Sequence, residues 1–174
     1  MKRTEDELND RDAEFGAFIR NCATPLHRTA YLLCGDWHLA HDLVQDTLVK
    51  AYQHWPRVRR ADSPDAYIRA ILLNEARGRW RRRERTLPVS RFPEGREPVA
   101  LDQTDEITRR AGLLQALLAL PLRQRATVIL RYLEGMSERE TAAVLGCSEG
   151  TVKSQSSRAL GTMRSFLDRA ESTP

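Results

Sequence analysis

The sequence predicts an all-α fold: two small helical domains joined by a flexible linker, the C-terminal one containing a helix-turn-helix. Apolar residues recur at three- and four-residue steps through most of the 174 residues, the period of one helix face. No segment alternates apolar and polar residues for long enough to make a strand. One stretch, 86–104, holds three prolines and a glycine and has no period, which marks a linker. A chain of this length carries one or two small domains. The expected boundaries are 11–85 for the first and 105–170 for the second.

In the first helix Phe15, Phe18, Ile19, Cys22, Leu26, Ala30 and Leu33 share a face, and Pro25 should kink it. Gly35 stops it and Asp36 is placed to cap the next. Leu39, Leu43, Val44, Thr47, Leu48, Ala51 and Tyr52 mark the second helix, which Pro56 should end. Ser63-Pro64 is a start signal, a capping serine followed by proline at the first helical position. Tyr67, Ile68, Ile71, Leu72 and Ala76 are the stripe of the third helix. After the linker the pattern resumes with Ile107, Ala111, Leu114, Leu117 and Leu118. Pro121 opens a further helix with Leu122, Ala126, Ile129, Leu130 and Leu133 inward, and Gly135 closes it.

The C-terminal segment is more specific. Ser137-Glu138-Arg139-Glu140 is a capping box. It starts a short helix through Leu145; Gly146-Cys147 follows, and Ser148 can cap a helix from Glu149 to about Leu167. Two helices across a tight glycine turn make a helix-turn-helix. Ala142 is small where the helices cross, Gly146 can take the positive φ of the turn, and Val152 fills the wedge. Val152, Ala159, Leu160, Met163 and Phe166 form the expected inner face. Glu149, Gly150, Lys153, Ser154, Ser157 and Arg158 are left outward, short polar and basic groups suited to a major-groove edge and its phosphates.

Composition narrows the classes. Hydrophobic residues are 41% and charged residues 30%, ordinary for a globular protein, and the net charge of +4 is modest. All but three of the 28 basic residues are arginine, a bias expected of a GC-rich genome that also supplies planar donors for phosphate. No apolar run approaches the length of a membrane span. The N-terminal MKRTEDELNDRD is charged throughout and does not read as a secretory signal. Three cysteines in a chain this long make no disulfide framework, so a reducing cytoplasm is the expected location.

Arg77, Arg79, Arg81, Arg82, Arg83 and Arg85 fall within nine residues at the end of the third helix, opposed only by Glu84. Cations suit a helix C-terminus. Beside Trp80 and Tyr67 they better fit a surface that tracks a nucleic-acid backbone and stacks on bases. The second helix instead carries His38, His41, Asp42, Gln45, Asp46 and Gln53. Acidic residues do not face DNA, so this is solvent surface or a protein-docking surface, and composition alone favours solvent. Cys22, His27, Cys34, His38 and His41 crowd together, but Cys22 shares the inner face with Leu26 and no Cys-x-x-Cys is present, so a core thiol is expected rather than a metal ligand. No nucleophile–base set and no phosphate-cradling glycine loop suggests an enzyme, and no cofactor is expected.

GDWHLAHDLVQDTLVKAY, SPDAYIRAILLNEARGRWRRR and LPLRQRATVILRYLEGMSERETAAVLGCSEGTVKSQSSRALGTMR, in this order, resemble a bacterial sigma factor of the extracytoplasmic-function (ECF) group, over about residues 11–168. The resemblance implies a region 2-like and a region 4-like helical domain. It implies that Asp42, Gln45 and Asp46 dock on the clamp region of the largest subunits of core RNA polymerase, which replaces the solvent reading. It implies that the loop at Pro56–Ser63 and the helix Pro64–Arg83 open and read the −10 element as a single strand, through Asn74, Arg77, Trp80, Arg81 and Arg82. It implies that the helix-turn-helix reads the −35 element as duplex promoter DNA, through Glu149, Thr151, Lys153, Ser154, Ser157 and Arg158. The linker would thread the RNA exit path, and an anti-sigma factor is a candidate further partner; no membrane is involved. Many relatives carry Arg-(apolar)-His where this chain has Gln155-Ser156-Ser157, so the −35 sequence does not carry over. A subgroup from high-GC actinobacteria resembles this glutamine version. A response-regulator type of transcription factor would share the C-terminal motif, but residues 1–85 show no strands or acidic phosphorylation pocket.

Overall fold

The structure, a computed structural model, describes residues 2–86 and 105–171. All of the expected linker beyond Thr86 lies outside the described residues. The chain divides into two compact units, Met1–Glu75 and Ala76–Pro174. The described elements are helical, as expected.

In the first unit, α1 (Lys2–Cys34) and α2 (Trp37–Gln53) fold back on each other across Gly35-Asp36. Gly35 takes φ +71°, and Asp36 accepts from the amides of His38 and Leu39 at 2.8 and 3.0 Å. The helix runs on through Pro25 to Cys34, and the Thr29 hydroxyl donates to the Pro25 carbonyl at 3.0 Å. Cys22, Leu26, Ala30 and Leu33 of α1 are buried, as are Leu43, Val44, Thr47 and Ala51 of α2. Leu39 is not: it is 40% exposed and leaves the expected stripe.

Proline 56 does not end α2. That helix stops at Gln53, and Pro56 sits in the first turn of a short helix, α3 (Trp55–Val58). A first-turn amide has no intrahelical partner, so proline costs nothing there. Ser63 then caps α4 (Pro64–Thr86), its hydroxyl accepting from the Ala66 amide at 3.2 Å. Ile68, Leu72, Leu73 and Ala76 are its buried positions. Lys50 on α2 meets Glu75 on α4 at 2.5 Å.

In the second unit, α8 (Glu149–Glu171) packs on α5 (Asp105–Leu118), α6 (Leu122–Val128) and α7 (Glu138–Leu145). Arg125 is 4% exposed, and its Nη2 donates to the carbonyls of Leu118 and Leu120 at 2.5 and 3.0 Å. A buried guanidinium thus closes the end of α5, where the last carbonyls lack helical partners.

Ile129–Leu133 continues α6 as a π-helical segment, with the Glu134 amide donating to the Ile129 carbonyl at 2.9 Å. The wider turn shifts the register. Ile129 and Leu130 are buried, but Leu133, expected inward, is 46% exposed. Gly135 (φ +69°) ends the segment as expected.

Candidate functional site

Three surfaces bear the expected functional residues. On α2, the burial of Leu43, Val44 and Thr47 turns Asp42, Gln45 and Asp46 outward, and all three are exposed. They fall at three- and four-residue steps and so share one face. Val49 belongs to that face too, four residues past Gln45 and three past Asp46, and is 56% exposed. Val49 falls in neither the apolar stripe nor the polar face expected from the sequence; its spacing from Gln45 and Asp46 was the available signal. Trp37, at the start of the helix, is exposed and stacks on Tyr31 with ring centroids 4.1 Å apart.

On α4, Asn74, Arg81 and Arg82 are exposed, while Arg77 and Trp80 are half-buried. Asn74, Arg77 and Arg81 follow one line along the helix. Trp80 lies in the second unit, with the Arg125 guanidinium 5.3 Å from its ring centroid. The side chains of Arg83 and Arg85 lie outside those described. The loop before α4 is anchored by an aromatic cluster absent from the expected site. Phe15 meets Tyr52 and Trp55 edge-on, each at 5.2 Å, and Phe18 meets Trp55 at 5.3 Å. Arg59, in the loop, pairs with Glu14 at 2.8 Å. Tyr52 also donates to Asp12 at 2.6 Å, which holds its phenol above the usual tyrosine range. These contacts join residues about forty positions apart, so no local pattern announces them.

The helix-turn-helix is built from caps. The Ser137 hydroxyl accepts from the Glu140 amide at 3.2 Å, and the Glu140 carboxylate accepts from the Ser137 amide at 2.7 Å. Hydrogen bonding to the carboxylate by the Ser137 side chain, and then by the Ser137 backbone amide, holds the Glu140 carboxyl below its ordinary value. Gly146 adopts φ +62°, ψ +47°, and the Cys147 amide reaches back to the Ala142 carbonyl at 3.0 Å. A side chain at Gly146 would meet no atom within 4 Å, so the requirement for glycine is one of backbone conformation. Ser148 caps α8 by accepting from the Thr151 amide at 3.2 Å, and its hydroxyl lies 2.9 Å from that of Thr151. Ala142 and Val152 are buried where the helices cross.

Along α8, Glu149, Lys153, Ser154, Ser157 and Arg158 are exposed and Thr151 is half-buried. The Ser154 hydroxyl donates to the Thr151 carbonyl at 3.0 Å. Lys153 Nζ lies 3.4 Å from Glu138 on α7. Leu160, expected inward, is 43% exposed, and Ser156 takes the buried place instead. Ser156 lies four residues past Val152 and three before Ala159, on their line; Leu160 lies eight past Val152, well round the helix.

The Ser156 hydroxyl has no hydrogen-bond partner among the described residues. A buried hydroxyl without a partner destabilises, and alanine is the better helix former. Ser156→Ala should therefore stabilise the second unit by about 1 kcal/mol. Thermal unfolding checks this: an unchanged or lower melting temperature means the hydroxyl is bonded in solution.

Cys22 is buried, and burial raises its thiol above the ordinary value. The rings of His27 and His41 lie 5.8 Å apart. No group of three or more His, Cys, Asp or Glu among the described residues is arranged to hold a metal ion. No described helix is long and apolar enough to cross a membrane.

Residues 18–86 match Sigma-70 region 2, and residues 110–163 match Sigma-70, region 4. An RNA polymerase sigma-E factor of Streptomyces avermitilis is 37% identical over 156 residues, covering 89% of this chain and 86% of that protein. Its counterpart from Streptomyces coelicolor is 38% identical over 155 residues, covering 88% and 86%. ECF RNA polymerase sigma factor SigM of Mycobacterium tuberculosis is 32% identical, covering 88% and 76%. Among solved structures, the sigma factor RpoE in complex with the anti-sigma factor NepR from Bartonella quintana superposes with a TM-score of 0.69 at 29% identity, covering 89% of this chain and 97% of that one. CnrH, in complex with the cytosolic domain of CnrY, shares the fold with a TM-score of 0.64 at 24% identity, covering 91% and 90%.

Proposed function

The chain belongs to the sigma-70 family of RNA polymerase sigma factors, and from that premise we propose which of its surfaces does what. A sigma factor joins core RNA polymerase and directs it to promoters in transcription initiation. The face of Asp42, Gln45 and Asp46 docks on the polymerase clamp. Asn74, Arg77, Trp80, Arg81 and Arg82 take the opened non-template strand of the −10 element. Glu149, Thr151, Lys153, Ser154, Ser157 and Arg158 face the −35 duplex. The working boundaries are 11–85, 86–104 and 105–170. The polymerase supplies the chemistry; this chain is no enzyme and acts in the cytoplasm, where polymerase and chromosome are. A bound anti-sigma factor in a structural neighbour supports one as a further partner.

The observation that carries the −35 assignment is the exposure pattern of α8. The helix is fixed at its start by Ser148 and held by Val152, and it presents Lys153, Ser154, Ser157 and Arg158 together. Lys153 and Arg158 sit five residues apart and so do not share a line along the axis. Lys153, nearer the N-terminus, reaches into the groove; Arg158 holds a flanking phosphate.

Run-off transcription with core polymerase on a promoter library tests this. Lys153→Ala should change preference at one or two −35 positions, at about 1–3 kcal/mol per lost base contact. Arg158→Ala should weaken all −35 sequences alike and reduce the salt slope by about one. The opposite pattern would exchange the two roles. No effect from either variant would mean that α8 does not read duplex DNA.

A further inference from the structure

Glu138 and Lys153 meet across the helix-turn-helix. Glu138 opens α7, and its Oε2 lies 3.4 Å from Lys153 Nζ on α8. The two partners are not equivalent. The Glu138 side chain is two-thirds covered, whereas that of Lys153 is 64% exposed. The carboxylate also sits at a helix N-terminus, where negative charge is favoured without any help from lysine. It is the fixed member of the pair. Lys153 is the movable one, a compact ammonium on a flexible stem.

The surrounding charge sharpens the point. Glu149 lies one turn before Lys153 on α8, the favourable order for a glutamate–lysine pair. Taking Glu138, Glu149 and Lys153 together, the start of the recognition helix carries no surplus of positive charge. A free lysine there would be drawn to whatever phosphate lay nearest, and phosphate contacts carry no sequence information. A lysine held to Glu138 keeps donors to spare but loses its freedom to roam.

We propose that Glu138 is a specificity-determining residue: its ion pair aims the Lys153 ammonium into the groove and keeps it off the flanking phosphates. The inference rests on the reading of α8 as the −35 duplex reader. Glu138 acts as a positioning residue, through Lys153.

The test is transcription by core polymerase carrying the full chain as wild type, Glu138→Gln, Glu138→Asp, Lys153→Ala or Glu138→Gln with Lys153→Ala, on a −35 library at several salt concentrations. Glu138→Gln should reduce discrimination between −35 sequences by up to about fivefold, the range of an exposed ion pair. It should also steepen the salt dependence by about one phosphate contact, as the released lysine takes one up. Glu138→Asp should restore part of the discrimination. In the Lys153→Ala background Glu138→Gln should do nothing more. Thermal unfolding of Glu138→Gln should fall only slightly below the wild type, because the exchange removes one charge from the α7 N-terminus and one exposed ion pair, too little to account for a change in discrimination. Unchanged discrimination and salt slope in Glu138→Gln would overturn the proposal. So would the same shift in the Lys153→Ala background, which would mean Glu138 acts without the lysine. A uniform loss across the library with a markedly lower melting temperature would assign Glu138 to capping α7 alone. A wild type that ignores the −35 sequence would remove the premise, and the proposal with it.

Discussion

Asp42→Arg combined with Asp46→Arg should abolish co-purification with core polymerase. Both carboxylates are exposed and one helical turn apart. Reversing both puts positive charge where a complementary surface expects negative, and like-charge juxtaposition across an interface costs several kcal/mol. Arginine is a good helix former, and the inward residues Leu43, Val44 and Thr47 are untouched. Circular dichroism should therefore show α2 intact while the complex is lost. If the folded double variant still co-purifies in full, the face is plain solvent surface.

Replacing Arg77, Arg81 and Arg82 together by glutamate should sharply weaken open-complex formation. Each phosphate contact to a single strand contributes roughly 0.7 to the salt slope, so three lost contacts should flatten it by about two. Wild-type opening should weaken with added salt in the same assay. Three glutamates near the end of α4 also oppose the helix dipole, so a triple alanine variant belongs beside them. It should show the same loss of slope with the helix preserved. Normal opening by the glutamate variant at physiological salt would reduce the cluster to a solvated helix end.

What the sequence made legible is what the chain settles over three or four residues. Asp36, Ser63, Ser137 with Glu140, and Ser148 are caps in the structure as expected, and Gly35, Gly135 and Gly146 take the positive φ expected of helix stops. The outward turn of Asp42, Gln45 and Asp46 follows from the same period. The misses have other causes. A simple helical period carried Leu133 inward because nothing in it foretells a π turn at Ile129. Leu160 and Ser156 exchanged places because hydrophobicity outweighed register in that reading. The aromatic cluster, the buried Arg125 and the Glu138–Lys153 pair arise where separate elements meet, and periodicity is blind to such meetings. The roles of the surfaces were legible only through likeness to a family; exposure and charge say where a partner can bind, not which.

The caps have a consequence in time. Each of the four closes over at most three residues, so a helix start is specified almost as soon as it leaves the ribosome. Helices form in about a microsecond, whereas synthesis proceeds at about 5–20 residues per second. The α1–α2 hairpin needs only a two-residue connection. The acidic face of α2 is therefore presented several seconds before α8 has been translated. During that interval the nascent chain has the surface that would bind polymerase and lacks the helix that would choose a promoter.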